Sequence, residues 1–470
     1  KKERNTKTMK SCWIKTRDAV VRFVSENKWI LIVMLILLIE RFYVMWRLGP
    51  LYSLDSDDAS YVKSGIEFAN SGIITMHGVL SAQIMPGMPV LIGLFSLIFG
   101  EGNVLWVMLK IFWIFMGVLS AYYVYKSCIF TPKWCGVLCS FCFFVIPNLA
   151  WMDNVILTET PFMLFFTMMI YSTLMMGKTG KRRYFWMCLV TYFLSFMMKA
   201  NIGIYPVFAF LYLLLVKYNF KTLLKQGLIV AGVLVCFVVP WSIRNYIHYD
   251  AFIPLTYGAG NPMLLGTYQG NDYPLDEELD YETNVDQVVK EKYAKYFNES
   301  GTIDEPYIAK YISLEADGVK AKYRMQEWAK RNPRSMAIAY LYQKPLWMMT
   351  EAFYWKQVLC TPLPLVNVIR TFVFGCSILS FLLAVFRKKW WKELLFLAVL
   401  YLGNIYIYAM SFSFSRYSET LMPAPYIACG IGLFLLVDGI RSFVRKHSQK
   451  QVAALPETIE KVEPDIGTET

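Results

Sequence analysis

The stretch Trp29-Ile-Leu-Ile-Val-Met-Leu-Ile-Leu-Leu-Ile39 carries no charge, no proline and no glycine, and the run resumes after Glu40 and Arg41 to end at residue 46. At about 1.5 Å per residue it is long enough to enter a bilayer core, and it is too uniformly apolar to be one face of a soluble helix. Nine further runs read in the same way, at residues 103–125, 134–150, 160–176, 184–198, 202–216, 227–242, 366–386, 394–410 and 421–437. Hydrophobic residues make up 56% of the 470-residue chain, and its mean hydropathy is +0.39. The expected fold is therefore an all-α polytopic membrane protein with about ten transmembrane helices. Water-soluble enzyme classes are excluded.

Residues 85–99 are apolar as well, but the run is short and opens Met85-Pro-Gly-Met-Pro89, which suits a re-entrant or interfacial segment. The charges test that choice. With 85–99 left out of the count, one side of the membrane receives Lys126 and Lys133, then Lys178 to Arg183, then Lys217, Lys221 and Lys225, then Arg387 to Lys392, and finally Arg441, Arg445 and Lys446. Basic residues collect on the cytoplasmic side of membrane proteins, so both termini are expected inside. The formal charge of +12 is accounted for by these loop clusters, and no nucleic-acid partner is implied. The basic N-terminus leads into its apolar run with no small-residue cleavage site after it, which predicts a retained anchor. The ten cysteines fall almost entirely in apolar segments and read as packing residues.

The expected organisation follows: a basic cytoplasmic N-terminus (1–28), an N-terminal transmembrane module (29–243) with its first external loop at 51–102, an external segment (244–365), C-terminal transmembrane helices (366–440) and a cytoplasmic tail (441–470). On the outer face this places Ser53-Leu-Asp-Ser-Asp-Asp-Ala-Ser-Tyr61, the turn 153–159, Lys199-Ala-Asn201, the external segment and Ser415-Arg-Tyr417. Asp57 and Asp58 open a segment with helical spacing. Neighbours on a helix point about 100° apart, so one acid can face a cavity as base or metal ligand while the other caps backbone N–H groups. Acids and cations at a membrane boundary are either paired as structure or kept for function. In the functional case carboxylates activate a hydroxyl, and arginine forks such as Arg244 and Arg416 hold a phosphate.

Within the external segment, residues 244–272 are rich in Gly, Pro, Asn and Tyr and read as an irregular loop suited to be a lid. Acids dominate 272–286 and read as a solvated face. An amphipathic helix is expected over 307–331, ended by Asn332-Pro333, with an interfacial stretch at 336–354. His77, His248 and His447 are scattered and form neither a triad nor a zinc site, and His77 reads as a loop hydrogen-bonding residue.

The order of several motifs carries a resemblance. Asp57-Asp-Ala-Ser-Tyr61 is followed by Gln83-Ile-Met-Pro-Gly-Met-Pro89 running into Leu94-Phe-Ser-Leu-Ile-Phe-Gly100, then Ile156-Leu-Thr-Glu-Thr-Pro-Phe162, Pro240-Trp-Ser-Ile-Arg-Asn-Tyr246, and Arg416-Tyr417 with Pro423 and Pro425. The chain resembles the GT-C superfamily of integral-membrane glycosyltransferases, and within it the bacterial family 39-like group related to protein O-mannosyltransferases and aminoarabinose transferases. The resemblance implies a polyprenyl-phosphate-linked sugar as donor and an inverting transfer to an acceptor glycan, lipid or protein at the external face of the cell membrane. It gives Asp57 the role of the first-loop catalytic acid, Asp58 that of its acidic neighbour and Glu159 that of the second-loop acid. Arg244 and Arg416 stand as phosphate ligands, with Tyr61, Lys199 and Tyr417 as further substrate-binding candidates. Lys199 stands where the family often has arginine, keeping the charge and losing the fork, and Gln83 replaces a frequent arginine. Some members of the superfamily hold a divalent cation, Mg or Mn, between the two acidic loops and others do not; here Asp57 and Glu159 would be its ligands. Other readings of a membrane chain with charges at its boundary are a lipid-linked sugar transporter or flippase, and a non-catalytic membrane assembly subunit. A transporter typically shows paired halves and broken midplane helices, whereas this chain has one strongly asymmetric external segment.

Overall fold

The computed structural model describes residues 2–453, with side chains from 17 to 445. The basic side chains before residue 17, His447 and the end of the tail lie outside the described residues. Helix α1 (Lys2–Leu48) kinks at Asn27, whose side-chain amide donates to the Phe23 carbonyl. After it come α2 (Asp57–Ser71), a two-stranded hairpin pairing Thr75 with Leu80 and Met76 with Val79, and α3 (Gly87–Phe99). The helices α4 (Asn103–Ser127), α5 (Lys133–Phe144), α6 (Pro147–Met152), α7 (Glu159–Thr179), α8 (Arg182–Met198), α9 (Tyr205–Leu215) and α10 (Phe220–Tyr249) complete the first half.

Among the described residues, seven helical stretches are long and apolar enough to cross a membrane: Arg17–Leu48, Asn103–Ser127, Glu159–Thr179, Phe220–Tyr249, Leu363–Phe386, Trp391–Ala409 and Pro423–Arg445. The chain is an all-α multi-pass membrane protein. Two of the other expected spans fall on helices shorter than the bilayer core. Residues 134–150 are divided between α5 and α6, because Pro147 starts a new helix and holds Ile146 extended at ψ 125°. The 202–216 run is similarly short, with a 3₁₀ turn (Ala200–Ile204) leading into α9. The 85–99 run is the 13-residue α3, about 20 Å long. It lies against α2, where the Ile92 side chain occupies the space beside Gly65, and turns Leu97 and Ile98 outward.

The segment between α10 and residue 363 comprises α11 (Gly260–Gly266), α12 (Gln287–Lys292), α13 (Pro306–Arg331), α14 (Pro333–Ile338) and α15 (Lys344–Thr350). It shares a second hydrophobic core with Ile74, Ala82 and the end of α10, in which the rings of Tyr249, Tyr257 and Tyr311 lie 5.2 to 5.4 Å apart. Arg324 on α13 is fully buried and fixes the irregular chain before it. It donates to Thr267 Oγ1 (2.8 Å), the Pro274 carbonyl (2.8 Å) and the Tyr281 hydroxyl (2.7 Å), pairs with Asp276, and stacks on Tyr268. The expected loop at 244–272 is therefore a packed structure.

The chain then re-enters the bundle through α16 (Leu363–Phe386), α17 (Trp391–Ala409), the short α18 (Ser415–Glu419) and α19 (Pro423–Ala453). The segment that carries α11 to α15 is fastened to the 411–413 link before α18. Gln269 pairs in both directions with the Ser413 backbone (2.9 and 2.8 Å), and Lys344 Nζ donates to Ser411 O (2.6 Å) and Gly266 O (3.2 Å). A β-carbon on Gly266 would overlap the Ser411 carbonyl.

Candidate active site

The first turn of α2, the first turn of α7, the Lys199 turn and α18 converge at one end of the bundle. Glu159 is fully buried, and its Oε1 accepts from Arg416 Nε (2.8 Å) and Lys199 Nζ (2.7 Å). Arg416 Nη1 reaches on to Asp57 Oδ2 (2.7 Å), so a single guanidinium bridges the two acidic loops. Two carboxylates and two cations make a neutral cluster, the condition under which charges are tolerated at membrane depth. Burial opposes the charge on Arg416, but Glu159, the neighbouring Tyr61 and Asp57 outweigh it and raise its pKa. Burial likewise lowers Lys199, and Glu159 works against that shift.

The cluster is incomplete on one side. Among the described residues, Arg416 Nη2 and Asp57 Oδ1 have no protein partner, and the Asp57 side chain is 35% exposed. Lys199 spends one of its three N–H groups on Glu159. Free N–H donors and a free carboxylate oxygen thus border the same opening. Tyr61 lies beside Arg416, and burial pushes its phenol above the ordinary range, so it remains an O–H donor. Tyr417 stacks on Tyr408 at 4.9 Å and lies under the Lys199 ammonium.

Asp58 points the other way. It is fully buried and accepts from Ser53 Oγ and the Leu54 backbone N–H (both 2.8 Å) and from the Ser56 N–H (3.2 Å), closing the turn that starts α2. Arg244 stands apart from the cluster. Its Nη1 donates to the Ser81 carbonyl (3.0 Å) and Asn245 Oδ1 (2.9 Å), it packs on Trp241, and no hydrogen bond or ion pair joins it to Asp57, Glu159 or Arg416. It braces the 81–87 loop, whose Gly87 abuts the Met197 backbone two residues before Lys199. In that loop the buried Gln83 Oε1 lacks a partner.

For a divalent ion the donor set is a poor fit. Arg416 supplies the positive charge between Asp57 and Glu159, and among the described residues no group of three His, Cys, Asp or Glu side chains is placed to hold a metal.

Several supporting residues have no counterpart in the sequence reading. Arg41 on α1 is fully buried and donates to Asp153 (2.9 Å), Glu40 (2.6 Å) and the Phe144 carbonyl (2.9 Å). Arg370 on α16 binds Glu419 and Ser418 (both 2.7 Å) together with the Met348 and Met349 carbonyls, which fixes α18 and so Arg416. The available signal was an arginine inside an apolar run, which marks a buried partner.

A family model described as dolichyl-phosphate-mannose-protein mannosyltransferase matches residues 84–243, a stretch that includes Glu159 and Lys199. The apo oligosaccharyltransferase of Archaeoglobus fulgidus superposes with a TM-score of 0.51 at 13% identity, covering 90% of this chain and 52% of that one. The fold is similar to that of this oligosaccharyltransferase. This chain spans about half the length of that oligosaccharyltransferase. The structure of ArnT from Cupriavidus metallidurans bound to undecaprenyl phosphate aligns at a TM-score of 0.40 and 12% identity over 87% of this chain and 78% of that one. No curated protein matches in sequence. Over residues 84–243 the chain is thus similar to that mannosyltransferase family, and its fold is similar to that of the oligosaccharyltransferase.

Proposed function

We propose that the protein transfers a sugar from a polyprenyl-phosphate donor to an acceptor hydroxyl at the non-cytoplasmic face, with inversion at the anomeric carbon. The observation that carries this reading is the one-sided cluster in which Arg416 bridges Asp57 and Glu159 while Asp57 Oδ1 and Arg416 Nη2 stay open. The donor's phosphate is held by Arg416 Nη2 and the spare N–H groups of Lys199. Asp57 takes the acceptor's hydroxyl proton, the oxygen attacks the anomeric carbon, and the bond to the phosphate oxygen breaks with its electron pair going to the phosphate. Protonating Asp57 removes one of the two negative charges that neutralise Arg416. The guanidinium then offers more of its charge to the leaving phosphate as it departs, an electrostatic gain that a water-poor site enlarges. Glu159 keeps Arg416 and Lys199 aligned. Arg244 acts on the donor through its remaining guanidinium edge or through the 81–87 loop it braces.

The positively charged loops support the orientation of the site. Lys178 reaches Ile129 O (2.6 Å), Lys133 reaches Glu26 O (2.8 Å) and Lys392 reaches Leu215 O (3.0 Å). These contacts gather the basic clusters at the end of the bundle opposite Asp57, as the positive-inside rule asks of a cytoplasmic face. Cysteine labelling checks it: positions near Asp272 and Ser415 should react from outside, and positions near Thr179 and Lys388 only after permeabilisation.

The deciding experiment incubates purified protein with polyprenyl-phosphate sugar and an acceptor and follows release of free polyprenyl phosphate. Movement of the lipid across a vesicle membrane without bond cleavage would instead establish a transporter. Activity lost to a chelator and restored by Mg or Mn would reassign Asp57 and Glu159 as metal ligands.

A further inference from the structure

Beside the ion cluster, the outer face of α2 borders an open cleft of about 860 Å³ whose lining includes Ser60, Lys63, Glu67, Asn70, His77 and Glu101. Its shape is built. His77 and Gly78 both take positive φ (54° and 83°) in the hairpin turn, which sets the imidazole against Ser60 Oγ (3.2 Å). Asn70 donates to Glu101 (2.8 Å), tying α2 to the turn before α4. Lys63 and Glu67 line the cleft with no side-chain hydrogen bond to the protein among the described residues. At about 100° per residue, Ser60 lies roughly 60° to one side of Asp57 and Tyr61 roughly 40° to the other. Asp57 therefore stands at the seam between the Arg416 cluster and the cleft, with its Oδ1 uncommitted.

We infer that this cleft is the acceptor site and that it takes a hydroxyl-rich glycan, an inference that rests on the glycosyl-transfer reading above. An ammonium, carboxylates, an amide, an imidazole and a hydroxyl along one wall can donate to and accept from the paired hydroxyls of a sugar chain. A peptide bound by strand addition would need a free strand edge, and the hairpin offers little of one. The carbonyls of Leu80, Ser81 and Ala82 are taken by Tyr249, Arg244 and the Tyr257 N–H, and the Thr75 N–H by Ser64. A glycan lying along α2 brings a hydroxyl to Asp57 from the side opposite the phosphate donors.

The test uses purified full-length protein, a polyprenyl-phosphate sugar donor, and two probes: the neutral oligosaccharide fraction released from the host's own surface glycans, and a pool of Ser/Thr-containing peptides. Transfer to the oligosaccharides is expected, and Glu67→Gln and Lys63→Gln should each raise the acceptor KM about tenfold relative to the donor KM. Transfer to the peptides alone, or an acceptor KM that neither substitution moves, would overturn the inference. Saturation-transfer NMR with the same oligosaccharides separates it from the reading beneath it. Binding that is lost in Glu67→Gln, in a protein that never cleaves the donor, leaves the cleft standing and removes the glycosyltransferase. Donor cleavage without oligosaccharide binding does the reverse.

Discussion

Arg41 and Arg416 are both buried arginines facing carboxylates near the same end of the bundle, and they differ in how completely they are used. Arg41 has a partner for each of its three nitrogens, and its carboxylate Asp153 is further satisfied by Thr160 (2.9 Å). Gly117 leaves the space that the Asp153 carboxylate fills. Arg416 has two nitrogens engaged and one open, and its Asp57 partner is open as well. A saturated pair has nothing left to offer a substrate and serves as a brace between helices. An unsaturated pair kept at the boundary of the bundle is poised to exchange partners. Completeness of hydrogen bonding, more than burial or charge, separates the two roles.

The sharpest way to break this comparison is Asp57→Asn. It keeps the shape and removes the proton acceptor, so turnover should fall by about 10²- to 10⁴-fold with donor binding little changed. Normal turnover in Asp57→Asn with an inactive Glu159→Gln would move the base to Glu159. On the Arg41 side, Arg41→Met strands a buried carboxylate and should lower stability by about 3–5 kcal/mol, read by denaturation in detergent. Combining it with Asp153→Leu should recover most of that loss, because an apolar pair can replace a saturated ionic one. The matching double substitution Arg416→Met with Asp57→Leu should fold and remain inactive. Recovery of activity there would erase the distinction.

Two smaller effects sharpen it. Asp58→Asn should reduce stability by about 1–3 kcal/mol through the loss of its turn hydrogen bonds, with a much smaller effect on rate than Asp57→Asn. A melting curve and a rate measured on the same preparation check this. Lys344 has no carboxylate partner, only two backbone carbonyls and the Tyr340 ring, and burial pushes its pKa down to about 7. Between that value and the ordinary lysine range, the unfolded chain holds a proton that the folded chain does not. Stability should therefore rise with pH from about 7 towards 10, and melting curves of Lys344→Met should show less of this rise.

The membrane class was legible because an uncharged apolar run of spanning length would leave a water-soluble helix with no face to turn to solvent. That Asp57, Glu159 and Arg416 meet at one end of the bundle was legible as a shared face, since alternating helices return their ends to the same side; that Arg416 bridges both acids was not. Division of labour between Asp57 and Asp58 was legible only as a choice between neighbours. The capping role falls to Asp58 through the Leu54 and Ser56 N–H groups. What stayed hidden depends on distance through space. Periodicity does not report that Arg244 turns to Ser81, or that Arg370 reaches four groups from two segments. The break before Pro147 was visible as a residue type, but a proline can also kink a helix that continues, and only packing decides which.

The clasp of Gln269 on Ser413 gives the segment between α10 and α16 a kinetic signature. Segments joined through each other's backbone open in one cooperative event. The Ser413 amide proton, which is hydrogen-bonded to Gln269 Oε1, exchanges with solvent only when that event occurs. Its exchange rate is thus a clock for separation of the outer segment from the link that leads to Arg416. A hinged flap would leave that clock running independently, whereas here no opening of the 266–269 turn goes unrecorded three residues from the guanidinium.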